Sequence, residues 1–407
     1  MLTSRGIVLL ILLLLFVPAK AQYGFEFEKK NLKKVYVPFE LHNNLIVVPV
    51  RLNDKLPMKF IVDTGIRTTI LTEKIMSDAL ALTLNRKIIL KGPGEQQIIA
   101  AHVANNVTIK IPGVVGRGQA LLVLEEDFLQ LRNYLGVEVH GIIGYELFSR
   151  FIVEIDYNNR MLILHQSQFF EPKKSFERFP LTIEDTKPYI VTKIKINGKT
   201  TRSKLMIDTG ASHALLLEED EEKNISMPER SIEANIGRGL GGPIKGRLAR
   251  IDHIKIGEFE LKGVISSFPE PGQYLDTVFF NRHGTLGGDL LSRFRVVFDY
   301  PSENIYLKKA SGFHNKFEHD MSGIELMAEG NKLETFRIMN VREESPAYKA
   351  GVRSGDTLLY LNGIRSENLQ LNQIYRLFHS KPGRKIRMVI SREGVQRKIV
   401  YRLKRFI

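Results

Sequence analysis

The sequence predicts a mostly β protein made of two homologous lobes, followed by a small, separate α+β domain. Three observations lead there. An internal repeat runs through most of the chain, the stretches between its landmarks read as short strands bounded by turns, and after about Gly312 the repeat stops and the composition changes.

The repeat is carried by four landmarks in the same order. Phe60-Ile61-Val62-Asp63-Thr64-Gly65 returns 145 residues later as Leu205-Met206-Ile207-Asp208-Thr209-Gly210. Gly141-Ile142-Ile143-Gly144 returns 143 residues later as Gly284-Thr285-Leu286-Gly287, then Leu147 to Phe151 as Leu290 to Phe294, and Asp156-Tyr157 as Asp299-Tyr300. In each copy a strand (Leu45 to Leu52, Tyr189 to Ile196) meets a turn, and an apolar strand then runs into the Asp. Asn197-Gly198 is a strong hairpin signal for the second turn. Short helices are expected over Glu146 to Ser149 and Asp289 to Ser292, directly after the Gly-x-x-Gly turns. The polar stretch Glu171 to Lys174 reads as the linker between lobes.

The third segment has its own punctuation. Ser345 is placed to cap a short helix with Pro346 in its first turn and Gly351 closing it. A strand Leu358 to Leu361 ends at the Asn362-Gly363 turn, and a helix over Leu371 to His379 precedes two closing strands. The expected divisions are a leader over 1–21, lobes over 36–170 and 175–311, and the third domain over 318–407.

Composition narrows the class. The chain has 407 residues with 59 Lys+Arg against 45 Asp+Glu, a net charge of +14, and the positive residues are scattered. There is no aromatic-interleaved basic stripe, so a solvated basic surface is expected and no nucleic-acid partner. Arg5, the apolar run Ile7 to Val17 and Ala19-Lys20-Ala21 together read as a cleavable export signal. The run is short for a membrane span, and no later stretch is long and apolar enough to be one. With no cysteine in the chain, neither disulfides nor a thiol nucleophile is available. Export without disulfides points to a bacterial periplasm or secretion. His140, His213 and His283 lack metal-ligand spacing and no Ser sits in a Gly-x-Ser-x-Gly turn, so these residues are assigned to packing or surface, with no metal or other cofactor expected.

The two Asp-Thr-Gly turns carry the chemistry. Two carboxyls in one site cannot both ionise easily, so they share a proton. The ionised one can draw a proton from water while the protonated one polarises a carbonyl, provided one Asp comes from each of two symmetric halves. The repeat supplies one per copy, which makes Asp63 and Asp208 the candidate catalytic pair of a single-chain, monomeric site.

Over Phe39 to Leu307 these motifs resemble the aspartic peptidases of the pepsin and retropepsin clan. The resemblance implies bilobal β-barrel lobes acting on polypeptide substrates. It implies that Gly144 and Gly287 pack behind the Asp turns, and that Thr64 and Thr209, beside Gly65 and Gly210, tie the lobes together. Gly-rich tips are expected at Gly92 and Gly94, and at Gly239 and Gly241, either as flaps over a cleft or as plain surface turns. The second companion motif departs at Thr285, and the first Asp turn departs at Ile66-Arg67, where the second has Ala211-Ser212. Arg67 and Ser212 are candidate substrate contacts, while a structural pairing of Arg67 with Glu146 is the expectation for the first turn. Ile66 and Ala211 lack the hydroxyl that acid-optimum members often carry, so the pair is expected to work nearer neutral pH. Two other readings are a non-catalytic peptide-binding protein on this scaffold and a nucleotide-binding Asp-x-Gly turn.

Met321 to Leu403, with Ser-Pro-Ala-x-x-Ala-Gly-Val, Ser-Gly-Asp and Leu-Asn-Gly in order, resembles a protease-associated PDZ domain. The resemblance implies capture of a peptide C-terminus, or of another protein partner, at Gly323 and Ile324. Only those two residues fit the usual loop pattern, so a docking role stands beside it.

Overall fold

The computed structural model describes residues 24–94, 98–272 and 282–407; the expected leader lies outside them. Each lobe is built around the strand that delivers its Asp. In lobe one, Leu45–Leu52 pairs antiparallel with Pro57–Val62, and the companion strand Gly141–Ile143 lies parallel to the latter, Ile143 beside Val62. In lobe two, Lys187–Ile196 pairs with Lys199–Ile207, and Gly284–Leu286 repeats the parallel pairing, Leu286 beside Ile207. Both Asp strands end in three buried apolar residues, so burial on each face holds the register that aims the carboxylates.

A six-stranded antiparallel sheet among the described residues joins the lobes. Its order is symmetric. Lys34–Pro38, Met161–His165 and Ile152–Asp156 come from lobe one, and Phe294–Asp299, Asn304–Lys309 and Glu177–Pro180 from lobe two. At the centre Glu154 faces Val297, positions one repeat length apart, so the pseudo-two-fold axis passes between them. The apolar cores of both lobes and of this sheet are continuous, from Phe25 and Phe60 through Phe148 and Phe298 to Leu205 and Phe268. The lobes therefore behave as one packed body.

The third domain has a separate core around Leu326, Phe336, Ile338, Leu358, Ile374 and Phe378. Its sheet runs from the edge strand Ile324–Glu329 through Thr335–Val341 and Thr357–Leu361 to Lys385–Arg392 and Val395–Arg402. The helix Pro346–Lys349 is capped by the Ser345 hydroxyl accepting from the Tyr348 N–H, with Pro in the first turn. The helix Leu371–Phe378 lies alongside the edge strand. Among the described residues no helix is long and apolar enough to cross a membrane.

Candidate active site

The Asp63 N–H donates to the Ile143 carbonyl and the Asp208 N–H to the Leu286 carbonyl, both at 2.9 Å, so each turn hangs from its companion strand in the same way. Within the turns, Gly65 N–H donates to Asp63 Oδ1 and Gly210 N–H to Asp208 Oδ1. The two threonines cross the axis. Thr64 N–H donates to Thr209 Oγ1 and Thr209 N–H to Thr64 Oγ1, each at 3.1 Å. Thr64 Oγ1 in turn donates to the Ile207 carbonyl at 2.7 Å, and Thr209 Oγ1 to the Val62 carbonyl at 2.8 Å. Both threonines are fully buried, so these four bonds fix the separation of the two aspartates where water cannot compete.

Two glycines are required by close approach. A Cβ on Gly210 would lie 2.3 Å from Asp63 Cγ, and one on Gly144 would lie 2.1 Å from the Asp63 carbonyl oxygen. Gly65 likewise faces both carboxylates, and Gly287 sits against the His213 carbonyl.

The Asp63 and Asp208 carboxyls are hydrogen-bonded to one another. Burial, and then the charge of Asp208, lift the Asp63 carboxyl well above the usual carboxylate range. Burial also raises Asp208, while the hydrogen bond from Asp63 opposes that rise. Both carboxyls are raised and they are coupled, so the pair titrates as a unit and shares a proton.

The flanks of the turns are latched reciprocally. Asn44, in the hairpin turn before the first repeated strand, donates to the Ser212 carbonyl at 3.1 Å. The matching hairpin of lobe two places Asp185 beside Arg67, 3.4 Å away across the axis. Arg67 thus does not pair with Glu146 as expected. The Glu146 carboxylate points inward, accepting from the Thr69 N–H at 2.7 Å and hydroxyl at 3.1 Å, whereas the Arg67 side chain stays exposed on the lobe surface. The helix that follows Gly144 turns Glu146 back onto Thr69 of its own lobe, and Arg67 meets Asp185 of the facing lobe instead. Ser212 is exposed, and its carbonyl rather than its hydroxyl makes the cross-lobe contact.

The Gly-rich tips belong to two hairpins, Leu84–Leu90 with Ile99–Ile111, and Ser231–Gly239 with Gly242–Arg250. The tips meet each other. Gly241 N–H donates to the Pro93 carbonyl at 2.8 Å, Gly94 bridges Gly241, Gly92 packs on Leu240, and Gly239 lies against Pro93. Hairpins from opposite lobes therefore touch at their tips.

Two residues here, Lys187 and Tyr300, were given no site role from the sequence. Lys187 starts the first repeated strand of lobe two, its charge acting on both aspartates, where lobe one has the buried Leu45. Tyr300, deep in the joining sheet, is pushed up by its burial and then by the charge of Asp63. Its position was visible as a repeat landmark, but nothing in the sequence brings it within the field of the aspartates. His140 and His283, at matched positions, accept the Lys59 and Lys204 N–H groups through Nδ1 at 3.3 and 2.9 Å and so serve the fold.

In the third domain, the loop expected to capture a carboxylate already holds one. Asp320 accepts from the Ser322 N–H at 3.0 Å, the Ser322 hydroxyl at 2.6 Å and the Gly323 N–H at 2.6 Å, and Ile324 N–H donates to Ser322 Oγ at 3.1 Å. The donors assigned to an incoming C-terminus at Gly323 and Ile324 are thus engaged within the loop, because an acidic residue three positions ahead folds back on them.

The family model of the aspartyl proteases matches residues 48–147 and again 192–290, one match per lobe, and that of the PDZ domain matches 337–392. The two lobes are aspartyl protease domains and the third is a PDZ domain. The aspartyl protease match spans both Asp turns and both companion motifs. No curated protein matches the chain. Among solved structures, the crystal structure of Basic 7S globulin from soybean is 12% identical and covers 70% of this chain and 98% of its own, with a TM-score of 0.42.

Proposed function

We propose that the chain is an aspartic endopeptidase in which Asp63 and Asp208 activate one water molecule. The observation that carries this reading is the reciprocal threonine grip, which holds two hydrogen-bonded carboxyls, one from each lobe, side by side, and the touching hairpin tips are read as the flaps of that cleft. Asp208, ionised, takes a proton from the water as its oxygen attacks the scissile carbonyl carbon. Asp63, protonated, donates to the carbonyl oxygen, giving a neutral tetrahedral diol. Collapse of the diol returns a proton to the leaving nitrogen and regenerates the shared-proton pair. Flap backbone groups would line an extended substrate and exclude water, and both aspartates come from one chain, so the site needs no second copy. The raised carboxyls, and the absence of a hydroxyl at Ile66 and Ala211, support operation nearer neutral than acid pH. Export ahead of activity rests on Arg5, the apolar run and Ala19-Lys20-Ala21, and a mature chain beginning at Gln22 would support it.

The test is cleavage of a denatured polypeptide between about pH 3 and 8 by the purified chain and by Asp63→Asn and Asp208→Asn. General acid–base catalysis is worth roughly a hundred- to ten-thousand-fold, so either variant should lose at least that much. A wild type that binds the polypeptide without cutting it would favour the non-catalytic peptide-binding reading. Cutting by either variant at the wild-type rate would remove the dyad.

A further inference from the structure

The edge strand of a PDZ domain has a row of backbone groups free to pair with an added strand. Here three of them are engaged. The Tyr375 hydroxyl, on the Leu371–Phe378 helix, accepts from the Leu326 N–H at 2.9 Å and donates to the Leu326 carbonyl at 3.1 Å. The next outward carbonyl, Ala328, accepts from Asn133 Nδ2 at 2.8 Å, and beyond the strand the Asn331 carbonyl accepts from Arg132 at 2.7 Å. Asn133 and Arg132 lie on the short helix Leu131–Leu135 of lobe one.

Its closing residue, Gly136, enters the slot between the edge strand and the Leu371–Phe378 helix. A Cβ there would lie 2.7 Å from Leu371 Cβ and 3.7 Å from Ala328 Cβ, and the backbone is left-handed at φ +65, so both space and conformation call for glycine.

The same lobe-one segment holds the second flap. Arg238, near the flap tip, donates to the Phe128 carbonyl at 2.8 Å, and its guanidinium lies 5.1 Å over the Tyr134 ring. Leu240, at the tip, packs into the apolar cluster containing Leu129 and Leu135. The PDZ edge strand also grips the flap directly, because Asn235 Nδ2 donates to Glu325 at 2.6 Å. The Leu131–Leu135 helix is therefore wedged between the PDZ groove and the flap.

We propose that the edge groove of the PDZ domain is a docking site for a segment of this same chain, the Leu131–Gly136 turn of lobe one, and that this docking latches the second flap over the cleft. The occupant is on the page, and the Asp320 carboxylate closes the loop that an outside C-terminus would need. Because the first flap meets the second at the tips, with Gly92, Pro93 and Gly94 against Gly239, Leu240 and Gly241, a latch on the second bears on both. An extended protein segment that added to Ile324–Glu329 would have to displace Asn133, and would loosen the flap as it did so.

Amide hydrogen exchange across residues 231–250 tests the latch without any reference to catalysis. It is run on the full chain and repeated in the Asp208→Asn background, so that failure of the latch and failure of the peptidase reading separate cleanly. Asn133→Ala cuts the PDZ–helix contact and Asn235→Ala cuts the PDZ–flap contact. The expected result is exchange at the flap faster by roughly fivefold for each hydrogen bond removed, with the PDZ core and the joining sheet unchanged. Asn235 is exposed on the flap, so Asn235→Ala decides the matter if Asn133→Ala does not fold. Flap exchange at the wild-type rate in the folded variants, or acceleration confined to the PDZ domain, overturns the proposal.

Discussion

Replacing Thr209 by Val keeps the shape of a fully buried side chain and removes only its hydroxyl. That hydroxyl oxygen accepts from the Thr64 N–H at 3.1 Å and its proton goes to the Val62 carbonyl at 2.8 Å. Each bond contributes about 1 kcal/mol net, and leaving the buried Thr64 N–H without its partner adds roughly 1–3 kcal/mol, so the expected loss is about 3–5 kcal/mol. The remaining half of the grip, Thr64 Oγ1 with the Thr209 N–H and the Ile207 carbonyl, is untouched. The loss should therefore fall on the contact between the two Asp turns, while the continuous apolar core of the lobes is left unchanged. The assay is urea denaturation beside a cleavage assay, with Thr209→Ser as the control that restores the hydroxyl. Thr209→Val should lose both stability and activity, and Thr209→Ser should recover most of each. A Thr209→Val chain within about 0.5 kcal/mol of wild type, or a Thr209→Ser chain no better than Val, would refute the argument that these bonds set the dyad.

Three further outcomes follow from the same geometry. Gly210→Ala should cost far more activity than Gly65→Ala, since its Cβ would fall 2.3 Å from Asp63 Cγ against 3.0 Å from Asp63 Oδ1 for the latter; equal kcat/KM in the two would sink this. Asp63 has a folded pKa raised above the ordinary 3.8, by burial first and Asp208 second, so its contribution to stability is present below 3.8 and is lost as pH rises through the folded value. Asp63→Asn should then gain stability relative to wild type between about pH 4 and 8, and a gain that shrinks with pH in urea titrations would contradict the shift. Lys187 lowers the titration of Asp63 through its charge, so Lys187→Met should move the alkaline limb of the pH–rate profile, where the pair loses its shared proton, upward; an unmoved or downward limb would show that this charge is screened from the pair.

The bilobal fold was legible because duplication wrote it twice. An apolar strand ending in Asp-Thr-Gly, followed at the same distance by a Gly-closed companion strand, leaves little choice of pairing, and Ile143 with Val62 and Leu286 with Ile207 pair accordingly. The PDZ domain was legible from Ser345, Pro346 and the turn glycines, which act locally. Arg67 shows where this kind of reading stops. Its partner Asp185 is 118 residues away and lies on the other lobe, whereas Glu146 looked suitable only along the chain. Asp320 shows the same in miniature, since the side chain that engages the Gly323 N–H is three residues upstream and invisible to a motif of loop glycines.

Local chemistry and repetition thus determined, from the sequence alone, the two lobes, the paired aspartates and the separate third domain. Only the tertiary structure decided that the two carboxyls share one buried, coupled site, that the flap tips meet, and that a lobe-one helix fills the PDZ groove. Those features depend on contacts between surfaces distant in the chain, where burial and through-space charge act, and no pattern of neighbouring residues records them.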